Sequence, residues 1–296
     1  MDNICKCCKS TDVKIIWDDY IRFGSFGTHT TEKYKMYQCQ NCGLIWHRND
    51  KFNSRYYESI QYRSETDGIS SVQEYYSVDD LQNLSRLSIT GMDIFRNQVV
   101  TDIGCAVGSF LDLLHGIAKE TIGIEPNEMF REDMQKRGHI TFPYTSNALA
   151  DMGRGCIDVI VSFDCIEHVD DLNGFMHDCW ELLKKGGRAI ISTPTDYPLL
   201  KKYCGHDWEQ FCYRYQHPWI LSKKSMEMLA QTAGFQEIKV VYKQRYGLSN
   251  AVMWMDKKRP MGDGLLEFIT EEMDIAFKRR VEAKGLSDYI VAYLRK

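Results

Sequence analysis

The sequence predicts an α/β protein, a largely parallel sheet covered by helices on both faces, preceded by a small cysteine-bound β module. Three observations carry that expectation. From residue 98 onward, short continuously apolar runs alternate with stretches of helical period, the pattern of strands buried on both faces. The first of these runs ends in a glycine turn, "TDIGCAVGSF". The first fifty residues hold two Cys-x-x-Cys pairs, in "CKCCKS" from Cys5 and "CQNCG" from Cys39.

Taken in order, residues 1–50 contain the β-like runs "VKIIW" and "KYKMYQC" around a Gly-containing loop, "FGSFGTHT". So short a segment has too few apolar residues to hold a core without a staple. Residues 51–75 form a polar, Tyr-rich connector without clear periodicity, and the remaining chain, 76–296, is expected to be one domain. Leu81, Leu84 and Leu87, with Ile89, Met92 and Phe95 beyond, suggest a helix leading into it. "QVVTDIG", "TIGIE", "HITFP", "IDVIVSFD" and "RAIIST" read as five strands. The helices between them are "SFLDLLHGIAKE", "NEMFREDMQKRG" closed by Gly138, and "DDLNGFMHDCWELLKKGG" ended by Gly186 and Gly187. A helix "SKKSMEMLAQTAGF", a strand "QEIKVVYKQ" and a strand-like "SDYIVAYLRK" follow. Between the last two, a helical insertion is expected at about 257–285, with Leu265, Ile269, Met273 and Phe277 at helical spacing.

Composition limits the function. The 296 residues hold 44% hydrophobic and 26% charged side chains, globular values, and no run of about 18 apolar residues appears. A soluble cytoplasmic protein without a membrane span is expected. The net charge of -4 lacks the basic surface of a nucleic-acid binder, and residues 1–60 are barely basic, with nine Lys/Arg against seven Asp/Glu. Six of the eleven cysteines are scattered from Cys105 to Cys212, which fits reduced thiols better than a secreted disulfide framework.

At the glycine turn, Gly104 allows a tight turn and close approach to a ligand, and Gly108 lets the helix pack close to the strand. Glu125, twenty-one residues beyond Gly104, ends the second strand where a carboxylate accepts hydrogen bonds from both ribose hydroxyls. The spacing is G-x-x-x-G rather than the pyrophosphate-cradling G-x-G-x-x-G, which argues for an adenosine cofactor without phosphates. The alternative is a plain tight turn in an α/β core.

"VVTDIGCAVGSFLDLL", "TIGIEPN", "IDVIVSFDCIEHVDDLNGFMHDCWELLKKGGRAIISTP" and "LAQTAGF" together resemble the class I S-adenosylmethionine-dependent methyltransferases, over about residues 75 to 296. The resemblance implies a Rossmann-like seven-stranded sheet whose last strand is antiparallel and forms a hairpin with the sixth. It also implies that Asp102, Gly104, Cys105 and Gly108 line the methionine and ribose side of the donor, with Glu125 on the ribose diol. Ser146 and Asn147 would lie by the adenine, where the family often has an acidic residue, and Asp164 near the methionine moiety. Cys105 is expected to be a small packing residue.

The two cysteine pairs suit one tetrahedral zinc ion, because each Cys-x-x-Cys wraps a turn and presents two sulfurs to one point. Cys5, Cys8, Cys39 and Cys42 are the expected ligands, with Cys7 the spare. A redox pair or unligated thiols are the alternatives. Four sulfurs leave no open position, so such a zinc would be structural. A four-cysteine module before this kind of domain resembles methyltransferases acting on sugars of nucleotide carriers, surface polysaccharides or antibiotics. C-methylating relatives usually carry a further C-terminal domain absent here, so a small sugar-containing acceptor methylated on oxygen is expected.

A hydroxyl acceptor must lose a proton, and histidine is the usual base near neutral pH. His217, then His168, then His206 are the candidates. His168 follows the fourth strand in "CIEHVDD", and the other two lie in "GHDWEQFCYRYQHPW", which in related enzymes covers the acceptor. His168 could instead only orient its loop. Tyr56, Tyr57 and Tyr62 could fold over the cofactor or pack on the domain surface. Trp208, Phe211, Tyr213 and Tyr215 could form an acceptor platform or ordinary core. Two further readings are an RNA or protein methyltransferase gripping its polymer through the zinc module, and a zinc-stapled binding protein whose domain is inactive. Oligomeric state is not legible.

Overall fold

The computed structural model describes residues 4–47, 54–59, 64, 68–69 and 71–296. They divide into two compact units. One comprises Asp50–Ser192, Glu227–Lys239 and Ala292–Lys296, the other Met1–Asn49, Thr193–Met226 and Val240–Val291.

The second of these carries the cysteine module. Strands β1 (Val13–Asp19), β2 (Tyr34–Cys39) and β3 (Ile45–His47) pair antiparallel in that order. One face of this small sheet is apolar, and three short strands cannot bury it alone. The sequence confined the module to residues 1–50, whereas the structure groups it with the chain after Pro194. The physical reason is the core: Trp17, Ile21, Met36 and Ile45 bury against Tyr213 and Ile220.

In the other unit, α1 (Val72–Thr90) begins on Ser71, whose hydroxyl accepts the Glu74 N–H, and stops at Gly91 in a left-handed turn (φ 72°). β4 (Val99–Ile103) is buried at all five positions. After it come α2 (Ser109–Leu114), β5 (Glu120–Ile124), α3 (Glu128–Lys136), β6 (Ile140–Phe142), α4 (Thr145–Met152), β7 (Ile157–Phe163), α5 (Leu172–Leu182) and β8 (Leu183–Pro194). The β4–β5, β4–β7, β5–β6 and β7–β8 pairings are all parallel. Each Val or Ile sealed between sheet and helix contributes about 1.5–3 kcal/mol of burial.

Beyond β8 run α6 (Pro198–Cys204), α7 (His206–Cys212), β9 (Trp219–Ile220), α8 (Lys223–Ala233), β10 (Glu237–Lys243), α9 (Leu248–Lys257), α10 (Glu271–Ala283) and β11 (Tyr289–Arg295). β9 pairs with β3 and completes the four-stranded sheet. The large mixed sheet has seven strands in the order β10-β11-β8-β7-β4-β5-β6. The α/β fold with a seven-stranded sheet and a small N-terminal sheet is the one expected.

Several local expectations differ. α5 ends at Leu182, and Lys184–Gly187 join β8 rather than closing a helix, because strand pairing with β7 starts at Leu183. The insertion holds two helices and starts at Leu248. In it, Ile269 is buried but Leu265 and Met273 are exposed. Most instructive is α1: Leu81 and Leu84 are 81% and 80% exposed, while Tyr75, Asp79, Asn83 and Thr90 are its buried residues. The leucines at helical spacing mark the outward face of α1, since its inward face is occupied by a polar network.

Candidate functional site

The chain turns sharply as it leaves β4. Asp102 is aligned with Gly123 of β5, and the Gly104 N–H donates to Ile124 O at 2.8 Å. Gly104 (φ 79°), Ala106 (φ 48°) and Gly108 (φ 74°) are all left-handed, an alternation that turns backbone N–H groups into a concavity. Ala106 holds that conformation at a cost of order 1–3 kcal/mol, strain of the kind stored at functional sites. A Cβ on Gly104 would lie 2.6 Å from Cys165 Sγ, and one on Gly108 2.5 Å from Met134 Sδ, so neither site tolerates a side chain.

Glu125 closes the concavity from the end of β5. Its Oε2 accepts the Ala106 N–H at 3.0 Å and its Oε1 the Asn127 N–H at 2.9 Å, which fixes the carboxylate plane. Asp102 is 3% exposed, and burial raises its carboxyl to about 7; Arg86 opposes the rise, while Asp79 and Glu125 add to it.

The polar face of α1 lies beside Asp102. Arg86 Nη2 donates to Asp79 Oδ1 at 2.7 Å and Nη1 to Asn83 Oδ1 at 3.2 Å. Asn83 Nδ2 donates to Ser109 Oγ, whose hydroxyl donates to Asp80 Oδ1, each at 2.6 Å. Burial works against the Arg86 charge, but Asp79, Asp102 and Asp164 together raise it above its ordinary value. Asp79 Oδ2 and Arg86 Nε are buried with no hydrogen-bond partner among the described residues. One spare acceptor and one spare donor, side by side, match the ammonium and carboxylate of an amino-acid moiety. With the Glu125 carboxylate at the next turn, this donor set fits S-adenosylmethionine. Sequence reasoning missed Asp79, Asn83 and Arg86; the signal was their i, i+4, i+7 spacing in polar residues.

The other candidates fall as follows. Cys105 is buried with Sγ 3.6 Å from Met134 Sδ, and burial pushes its thiol up. Ser146 and Asn147 are exposed in the first turn of α4. Asp164 is left-handed (φ 49°), and its N–H donates to Ser192 O at 3.1 Å. His168 ends a short 3-10 turn after β7, with Nδ1 2.7 Å from the Tyr57 hydroxyl and the two rings edge to face. The connector therefore folds onto this unit: Tyr57 stands on a 3-10 turn at Ser54–Glu58, and the Tyr144 hydroxyl donates to Glu58. Tyr56 packs edge-on against Tyr57; Tyr62 lies outside the described residues.

In the unit that carries the cysteine module, the two cysteine turns are copies of each other. The Lys9 N–H donates to Cys5 O and the Gly43 N–H to Cys39 O; the Cys5 N–H reaches Ser10 O and the Cys39 N–H reaches Leu44 O. Lys9 (φ 60°) and Gly43 (φ 75°) share the left-handed position after each second cysteine. The four sulfurs of Cys5, Cys8, Cys39 and Cys42 lie within 4.8 Å of one another, with Cys5–Cys42 and Cys8–Cys39 at 3.5 Å. A tetrahedral ion with Zn–S bonds of about 2.3 Å needs S···S separations of about 3.8 Å, so the set fits zinc. Cys7 Sγ donates to Ser225 O at 3.4 Å.

His206 is exposed on the rim of the small sheet, packed at a tilt on Trp17 with ring centroids 4.6 Å apart and with Nε2 3.6 Å from Asp19. His217 donates its N–H to Arg214 O in the turn before β9. Trp208 and Tyr213 are core: Trp208 packs with Tyr197 and Trp254, and Tyr213 with Trp17 and Met36. Phe211 and Tyr215 line the edges of these clusters.

The family described as "Methyltransferase domain" matches residues 65–240, more than half of the chain, and the chain belongs to that family. A "Ubiquinone biosynthesis O-methyltransferase" of Bradyrhizobium sp. (strain ORS 278) is 27% identical over 96 residues, 31% of this chain and 38% of that one. A Mycolicibacterium smegmatis protein described as "Probable S-adenosylmethionine-dependent methyltransferase" is 29% identical over 138 residues, 46% of this chain and 51% of that one. The chain thus spans about two fifths to one half of the length of these relatives. A solved Thermotoga maritima SAM-dependent methyltransferase is 20% identical and aligns with 76% of this chain and 94% of its own at a TM-score of 0.49. No helix among the described residues is long and apolar enough to cross a membrane.

Proposed function

We propose that the protein transfers a methyl group from S-adenosylmethionine to a hydroxyl oxygen of a small acceptor, and that its cysteine module holds a structural zinc. The observation that carries the reading is the Asp102–Gly104–Ala106–Glu125 turn, with its strained backbone and doubly anchored carboxylate, beside the spare Asp79 and Arg86 atoms. Bound S-adenosylmethionine supplies a methyl already activated on positively charged sulfur. The chain's work is then to orient the partners, which alone lowers such barriers by several kcal/mol. Glu125 holds the ribose diol, Asp79 and Arg86 the amino-acid end, and Ser146 and Asn147 stand for the adenine side. Gly104, Cys105, Gly108 and Asp164 keep the walls close.

His168 takes the acceptor proton in this reading. The hydrogen bond between its Nδ1 and the Tyr57 hydroxyl, 2.7 Å, orients the ring. His217 is the competing base. An oxygen acceptor is favoured by the relatives named as O-methyltransferases; the sugar expected from the cysteine module has no counterpart among the relatives reported above. Isothermal titration with S-adenosylhomocysteine tests the reading. Micromolar binding that Glu125→Ala weakens at least tenfold is expected, and no binding by the wild-type protein refutes it.

A further inference from the structure

Arg22 and the segment "FCYRYQHPW" together form a feature that neither the donor site nor the zinc uses. Arg22 is 5% exposed, yet its guanidinium makes no ion pair or hydrogen bond among the described residues, and its Nε is buried without a partner. It lies flat over the Phe211 ring, 3.8 Å from guanidinium carbon to centroid. Stacking satisfies only the face of a guanidinium; the five N–H donors in its plane stay available.

Arg22 is also locked beside a second arginine. It forms a parallel bridge with Arg214, the Arg22 N–H donating to Tyr213 O and the Tyr215 N–H to Arg22 O, each at 2.9 Å. On its other side it bridges antiparallel to His29. Bridged residues project from one face of a ladder about 5 Å apart, so His29, Arg22 and Arg214 form a row. Arg214 likewise has no carboxylate partner among the described residues. Burial brings it down to about 10, Tyr246 opposing and the Arg245 charge adding to the fall. Two arginines bridged backbone to backbone, one of them sealed from water and neither with a carboxylate partner among the described residues, call for an anion.

We propose that Arg22 and Arg214 bind a phosphoryl group, with Phe211 fixing the plane of the Arg22 fork. A phosphoryl group carries the double charge and multiple oxygens that two adjacent guanidinium forks match. The anion site stands on its own residues and goes beyond the methyl-transfer reading above.

The test is isothermal titration of the full chain with pyrophosphate at constant ionic strength, with citrate as the carboxylate arm. The wild type is expected to bind pyrophosphate saturably, and Arg214→Gln and Arg22→Gln each to weaken binding at least tenfold. Arg214 is the less buried of the two, so its variant carries the test if Arg22→Gln fails to fold. In phosphate-free buffer Arg22→Gln should melt no lower than the wild type, and pyrophosphate should raise only the wild-type melting temperature. Absence of binding by the wild type, or binding by both variants as tight as the wild type's, overturns the site. Citrate bound as tightly as pyrophosphate overturns the phosphoryl assignment. S-adenosylhomocysteine, titrated into the same samples, is expected to bind wild type and variants within twofold. Its failure to bind any of them refutes the methyl-transfer reading while leaving the anion result intact.

Discussion

Replacing Asp102 by Asn should stabilise the ligand-free protein at neutral and alkaline pH. Burial raises the Asp102 carboxyl from 3.8 to about 7, so the folded chain keeps its proton across an interval in which the unfolded chain has lost it. The carboxyl's contribution is therefore fully present below about pH 4, is lost as the pH climbs, and is gone above about 7. Three units at 1.36 kcal/mol each make the full loss about 4 kcal/mol, and about 3 kcal/mol of it falls between pH 5 and pH 8. Asn has nearly the same shape and no titration. Urea denaturation of both proteins at pH 5 and pH 8 should show the variant gaining on the wild type by about that amount as pH rises. A ligand bearing positive charge favours the ionised carboxylate, so wild-type binding of S-adenosylmethionine should weaken as pH falls through about 7, and the variant's should not. Parallel pH dependence of stability in the two proteins would refute the reasoning.

Elemental analysis of protein purified without chelator should find about one zinc per chain. Cys39→Ser should lower that content and the melting temperature together, because binding of the ion is coupled to folding of its module; a full-length protein with no zinc and an unchanged melting temperature contradicts this. On α1, Leu84→Lys should change stability by no more than about 0.5 kcal/mol. Asn83→Leu, which leaves Ser109 and Arg86 short of a partner, should cost about 1–3 kcal/mol by thermal denaturation; the reverse order would mean the helix buries its leucines. His168→Ala should lower kcat about 10²–10⁴-fold while leaving S-adenosylhomocysteine affinity unchanged. His206→Ala, held at Asp19 and Trp17, should leave kcat as it is, and a large loss would move the base to the small sheet.

How legible the protein was in its sequence depended on whether a signal was local. Apolar runs alternating with helical stretches gave the parallel core, since strands covered on both faces read the same wherever they lie in the sheet. The turn at Asp102–Gly108 and the acid at Glu125 were legible for a similar reason: a left-handed backbone admits few residue types, and Gly104 and Gly108 have no room for a Cβ. The cysteine spacing implied turns that the backbone forms twice over, at Cys5–Ser10 and Cys39–Leu44.

Where polar residues do the burying, the sequence carried less. Leu81, Leu84 and Leu87 gave the helix, but their spacing left open which of its faces is buried. α1 turns Asp79, Asn83 and Arg86 inward, since their charges and hydrogen bonds satisfy one another only there. The strand that completes the small sheet, Trp219–Ile220, is two residues long and carries no signal of its own. Arg22 and Arg214, nearly two hundred positions apart, become neighbours only through a single bridge. The sequence by itself determined which backbone turns exist and which apolar runs make the sheet, because those depend on residues adjacent in the chain. Tertiary structure alone decided which charges were buried and beside what, because the cost of burying a charge is set by partners that arrive from elsewhere in the fold.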